Sequence, residues 1–272
     1  MVSNMLADLR LYRHLIVMQL RAQMQYKINV LIDIITYLSV TGLEFVPVLI
    51  YFGPFPTLLG WNVGEVAMLY AITSMSFGLA ELFGAGIDAF DETVRRGEFD
   101  RVLLRPVGAL MQVVSSEFRL RRLGRLTEGV LVFILALNLL HGLNWTTVKL
   151  VIVPIGILSG ALIFIAILLL GATLCFWTIQ TTELTNILTY GGREMLSYPL
   201  TIYHQGLQRF FLFVVPLAFG TYIPTCYLLG ISLPFGLPME IAFSAPLFAL
   251  AFAMIAGAIW RFGVHHYQST GS

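Results

Sequence analysis

The sequence predicts an all-α integral membrane protein: six transmembrane helices, an N-terminal amphipathic interfacial helix and one charged cytoplasmic loop. Three observations lead there. First, 58% of the 272 residues are hydrophobic and 11% are charged, whereas a soluble domain carries about 25% charge. So little charge cannot cover a water-soluble globule of this size. Second, the apolar residues gather in stretches long enough to cross a hydrocarbon core, which takes about 20 residues. Third, the basic residues fall almost wholly on one side of those stretches. The net charge of +1 offers no bulk attraction to nucleic acid, and no such partner is expected.

Residues 1–27 come first. Met5, Leu9, Tyr12, Ile16, Leu20 and Met24 recur at spacings of three and four and share a helix face, while Arg10, Arg13 and Arg21 lie off it. This pattern suits a helix lying in the headgroup layer. A helix packed on the protein's own base would show the same stripe. The segment is too polar and basic for a signal peptide, and no small-residue cleavage site follows it.

The spans then read as about 28–52, 63–87, 127–143, 148–177, 207–230 and 240–263. The first ends at Gly53-Pro54-Phe55-Pro56, and the third is short, bounded by His141 and Asn144. Pro154 lies near the start of the fourth, and Pro216 and Pro224 lie inside the fifth. No repeat or linker divides residues 1–272, so they read as a single membrane domain.

Six spans place both termini on one side. Arg10, Arg13, Arg21 and Lys27 precede the first span, and eight arginines from Arg95 to Arg125 lie between the second and third. Arg193 and Arg209 flank the connection from the fourth to the fifth, and Arg261 ends the sixth. Lys149 alone falls on the other side. The positive-inside rule makes the arginine-rich side cytoplasmic. Trp61, Trp145 and Tyr222 are then expected in an aromatic belt at the outer interface. Cys175 and Cys226 are expected near opposite sides as buried thiols, with no disulfide.

The loop 88–126 is the longest polar excursion. Asp88, Asp91 and Glu92 suit a helix N-terminus. Gly97 breaks that helix, and Phe99, Val102, Leu103 and Leu104 form a short apolar run that Pro106 and Gly108 stop. Two short helices with a knuckle are expected. A docking surface has this make-up, with apolar anchors inside and charges at the rim.

The stretch Gly97-Glu98-Phe99-Asp100-Arg101-Val102-Leu103-Leu104-Arg105-Pro106 resembles a signature of type-2 ATP-binding-cassette exporter permeases. That signature runs glycine, any residue, hydrophobic, aspartate, two of any kind, leucine, hydrophobic, arginine, proline. A bacterial branch of small six-span permeases is the nearest likeness. Tyr198-Pro199, Phe213-Val214-Val215-Pro216-Leu217-Ala218-Phe219 and the C-terminal His266-Tyr267-Gln268-Ser269-Thr270-Gly271-Ser272 are similar to that branch as well.

The resemblance implies one half of an exporter's translocation path in a bacterial inner membrane. It implies a second permease, identical or related, and two copies of a cytoplasmic ATPase subunit. It also implies that Glu98, Phe99, Asp100, Arg101, Leu104 and Arg105 couple the chain to that ATPase.

The chemistry absent from the sequence agrees. Lys27 and Lys149 are the only lysines, and neither lies in G-x-x-x-x-G-K-[ST]. No phosphate-cradling loop is available, so ATP and magnesium are expected on the partner and no cofactor on this chain. His14, His141, His204, His265 and His266 show no metal-ligand spacing, and the adjacent pair His265-His266 reads as interfacial. No catalytic cluster stands out, so the chain is not expected to be an enzyme.

Acids within spans cost about 2.5–3.5 kcal/mol each on insertion scales, and Asp33, Glu44 and Glu81 are the instances. Asp33 and Glu81 are expected to pair with Arg13, Arg21 or another arginine at headgroup level. Glu44 lies deeper and suits a polar cavity, although a protonated acid bonded to a backbone carbonyl fits equally. Glu128 is expected at the interface.

Phe210, Phe211 and Phe213 suit a hydrophobic path or simply lipid, with Glu44, Phe210 and Phe213 the candidate path residues. Gly156 and Gly160 permit close helix approach, most simply within the chain. An ATP-independent transporter or channel subunit is the alternative. It would leave the structured loop without a task.

Overall fold

A computed structural model describes residues 5–140, 142–178 and 182–267. His141 and the C-terminal stretch 268–272 lie outside the described residues. Regular structure among those described is helical, apart from a single bridge between Leu58 and Trp61.

Helix α1 (Met5–Gln23) passes through one 3-10 turn into α2 (Lys27–Phe52), and Tyr26 leaves helical geometry at the joint. Tyr12, Ile16 and Leu20 are half-buried while Arg10, Arg13 and Arg21 are exposed, as the stripe requires. The inner side of α1 rests on the protein. Gln19 donates to the Ser115 carbonyl at 2.9 Å, and Gln23 accepts from the Leu120 amide at 2.9 Å.

Helix α3 (Val63–Phe83) is the centre of the bundle. Asn62 and Glu65 close a capping box at its start, at 3.0 and 2.8 Å. Seventeen of its 21 residues are buried, so it is enclosed all round by other helices rather than by lipid. Its small polar side chains are satisfied there: Ser76 donates to Ile72 at 2.8 Å and Thr73 to the Leu196 carbonyl at 3.1 Å.

Four short helices follow: α4 (Ala85–Asp88), α5 (Phe90–Arg95), α6 (Phe99–Leu103) and α7 (Ala109–Val114). The loop thus holds more helices than the two expected. Then come α8 (Leu123–Leu139) and α9 (Thr147–Leu174), the latter capped by Thr146. Helix α8 has 17 residues, which at 1.5 Å per residue gives about 25 Å. It begins earlier than the sequence suggested, so Arg125 belongs to the helix and not to its approach.

The next part departs most from expectation. Residues 182–204 comprise α10 (Thr182–Asn186), a π turn, α11 (Gly192–Leu196) and a 3-10 turn. They carry the chain away from the charged end. Tyr190 reaches Glu81 at 3.2 Å, and Arg193 reaches Tyr70 at 2.9 Å, further along α3.

Then α12 (Gln205–Arg209) and a π turn meet α13 (Leu217–Gly220) and α14 (Tyr222–Leu229) across a 74° bend. Pro216 causes it, since proline has no amide to donate and forces the residue before it into extended geometry. Val215 takes φ −112 and ψ 93. Arg209 lies 5.5 Å over the ring of Phe235, which follows α14. The bent pair therefore belongs to the half remote from the charged loop. The apolar segment expected over 207–230 is thus broken at Pro216, and Arg209 moves to the other side of the charge count.

Helix α15 (Ala245–His266) returns to the charged end. Among the described residues, four helical stretches are long and apolar enough to cross a membrane by length and composition: Arg10–Phe52, Val63–Phe83, Thr147–Leu174 and Met239–His266. The bent pair makes five if counted as one span.

The core runs between α3, α8, α9 and α13–α15. Trp61 and Tyr222 stack at 5.9 Å and are 4% and 0% exposed, so they anchor this core and form no belt. Trp145 remains exposed. A Cβ on Gly156 would sit 2.9 Å from Pro224, so that glycine serves packing within the chain. Cys226 is buried and Cys175 half-buried.

Candidate functional site

The knuckle is built around Gly97. Helix α5 ends there in left-handed geometry, φ +67, with the Glu98 amide bonded to Thr93 at 3.0 Å. On α5, Glu92 pairs with Arg95, and with Arg96 at 2.6 Å. The Arg96 hydrogen bond, then Arg95 and the Arg96 charge, hold the Glu92 carboxyl below its usual range. The pairing is present at neutral pH and lost as pH falls through the carboxylate range.

Helix α6 presents two faces. Phe99 is 0% exposed and meets Phe90, Phe176 and Tyr267 edge-on or tilted at 5.0–5.4 Å between centroids, with Trp260 behind them. Asp100 is half-buried, close to Tyr267. Glu98, Arg101, Leu103, Leu104 and Arg105 are exposed, Leu104 most of all at 86%. Gln112 of α7 ties the far side by donating to Val102 and Val107 at 3.0 and 2.9 Å. The sequence groups Phe99 with the docking residues; the structure places it inside as the pin that holds them out. Phe99→Leu, which removes the aromatic contacts, is expected to cost about 1 kcal/mol and to speed tryptic cleavage after Arg96 and Arg101, each followed by a cleavable bond. An unchanged cleavage rate would mean that something else holds the knuckle.

Behind the knuckle, acids and bases alternate into the bundle. Asp88 meets Arg122 at 3.2 Å, and Arg122 meets Glu81. Glu81 meets Arg125 at 2.9 Å, Arg125 meets Glu44 at 2.8 Å, and Glu44 meets Arg193 at 2.5 Å. Tyr37 also donates to Glu81, at 2.9 Å. The formal charges of these six groups cancel. That answers the insertion penalty each would carry alone.

Glu81 does pair with arginine, but with Arg122 and Arg125 rather than any from α1. Glu44 keeps about a third of its side chain exposed, at 32%, while bound to two arginines. Asp33 is exposed and lines a cleft of about 290 Å³ with Gln23, Arg119 and Arg121. Glu128 is 2% exposed, and neither carboxyl oxygen has a hydrogen-bond partner among the described residues. It belongs to the bundle interior and not to the interface.

Arg122, Arg125 and Arg193 are therefore the residues that sequence reasoning missed. They stand on the basic side in any count of charges, yet each is under 7% exposed. The signal was present as three acids inside predicted spans with no cation on the same helices. Of the path candidates, Phe210 is half-buried and Phe213 is 62% exposed beside the Pro216 bend. Among the described residues, no three of His, Cys, Asp or Glu gather where a metal could sit.

A membrane protein with a braced, charged knuckle at one end meets its relatives at one comparison. Residues 38–271 match the family described as ABC-2 family transporter protein. The chain belongs to that family. Searches of curated proteins and of solved structures return no match. As an ABC-2 family transporter protein it is a multi-pass membrane permease, and the match takes in the knuckle, all six groups of the charge ladder and the bent pair.

Proposed function

We propose that this ABC-2 family permease is the membrane half of an ATP-driven exporter, docking a separate ATPase through the exposed face of α6. The observation that carries the reading is the division of α6 itself. Phe99 is locked into an aromatic core while Arg101, Leu104 and Arg105 project. An exposed leucine ringed by charges on a rigid mount suits a partner surface.

In this reading the charged end is cytoplasmic, both termini lie there, and the membrane is the bacterial inner membrane. ATP and magnesium reside on two ATPase copies. A second permease, identical or related, completes the path, with Glu44, Phe210 and Phe213 lining it. Nucleotide binding moves the knuckle, and the charge ladder passes that motion to α2, α3, α8 and α11 as a switch between two packings.

The test is charge reversal at Arg101 and Arg105, alone and together, in the assembled complex. The double variant is expected to reduce transport-linked ATPase at least tenfold, the effect of losing about 1.4 kcal/mol of interface energy. Co-purification of the ATPase should fall with it. Unchanged assembly and unchanged coupled hydrolysis would remove α6 as the docking element.

A further inference from the structure

A cavity of about 620 Å³ opens at the charged end between α1, α7 and α15. Small-molecule sites span about 300–1,000 Å³. Leu110, Met111, Val114, Trp260 and Val264 form apolar walls, and the polar groups are Tyr12, Arg261 and His265. No carboxylate lines it. Arg261 is exposed and makes no ion pair among the described residues. The His265 Nδ1 donates to the Arg261 carbonyl at 2.6 Å, which leaves Nε2 available. Gly257 faces open space, with nothing within 4 Å of where a Cβ would stand.

We propose that this cavity binds an anionic glycerophospholipid from the surrounding leaflet, with an acyl chain between α7 and α15 and the phosphate on Arg261 and His265. Position and charge choose this occupant. Arg261 and His265 lie in the last two turns of a helix apolar enough to span, where headgroups meet protein. The cation at the mouth has no internal acid to neutralise it, so the complement must come from the ligand. A zwitterionic lipid brings its own ammonium and gains less. The proposal stands apart from ATPase docking. Its consequence reaches the same unit, because α7 forms a cavity wall and Gln112 of α7 braces the knuckle.

The test uses the purified full chain and native mass spectrometry, with phosphatidylglycerol, phosphatidylethanolamine or palmitate added singly, and palmitate also in competition with phosphatidylglycerol. Phosphatidylglycerol is expected to be retained about fivefold better than phosphatidylethanolamine, the worth of one basic contact at a membrane surface. Arg261→Gln should erase that preference and Arg261→Lys restore it. Gly257→Phe, which projects into open space, should exclude both phospholipids with the melting midpoint unchanged. Three outcomes would overturn the proposal: equal retention of the two phospholipids, a preference that survives Arg261→Gln, or palmitate displacing phosphatidylglycerol at equal concentration, which would make the ligand a free amphiphile. Should Gly257→Phe fold poorly, the Arg261 pair still decides.

Discussion

Replacing Glu81 with alanine is expected to destabilise the folded chain by about 3–5 kcal/mol, the usual cost of leaving buried charge unpaired. Glu81 accepts from Arg122, Arg125, Tyr37 and Tyr190, and its side chain is 3% exposed. Removing it takes an anion from between two guanidiniums that have 7% and 3% exposure. Asp88 and Glu44 remain, but Asp88 reaches only Arg122 and Glu44 is already shared between Arg125 and Arg193. Glu81→Gln should cost less, because the amide still accepts one hydrogen bond and fills the space. The check is the denaturation midpoint in detergent, with the solvent-facing capping substitution Glu65→Gln as reference. If Glu81→Ala melts with the reference, the ladder contributes nothing to the fold, and the route proposed for the coupling motion goes with it.

Gly220→Val should be comparably severe, at about 3 kcal/mol or more, the upper end of overpacking. A Cβ at Gly220 would land on the backbone of Gly160 and 3.1 Å from the Ser159 carbonyl carbon. Backbone within a helix cannot move aside as a flexible side chain can. The clash falls where α13 crosses α9, and it should push the bent pair off the bundle. Gly257→Ala gives the contrast, since nothing stands near that position; it should be neutral or slightly stabilising through better helix propensity. Thermal melts of the two variants check both statements. Equal midpoints would mean that the α9–α13 approach is looser than the geometry requires.

Much of the knuckle was legible. Gly97 was expected to end a helix because glycine alone adopts positive φ without cost, and it takes φ +67. The acids at the start of α5 and the stop near Pro106 follow equally local rules. The inward turn of Phe99 was not legible. An aromatic residue between charges reads the same whether it meets a partner or its own fold, and Phe176 and Trp260 lie far along the chain. The 74° bend within the fifth apolar segment was hidden for a related reason. Hydropathy marks 207–230 as apolar, but apolar residues suit lipid and protein interior alike. The segment 182–204, which makes the traverse, holds Glu183, Arg193 and Glu194 and looks like a loop.

The sequence by itself determined that this chain lives in a membrane, that several of its segments are apolar and long enough to span it, and that one end carries a structured, charged handle. Those properties depend on composition and on neighbours within a few residues. Only the tertiary structure decided which charges are solvent-facing and which are buried, and therefore where the site lies. Arg125 finds Glu44 at a separation of 81 residues, and Arg193 finds Tyr70 at 123. A buried ion is tolerated only when its counterpart arrives in space, and no local pattern records that arrival.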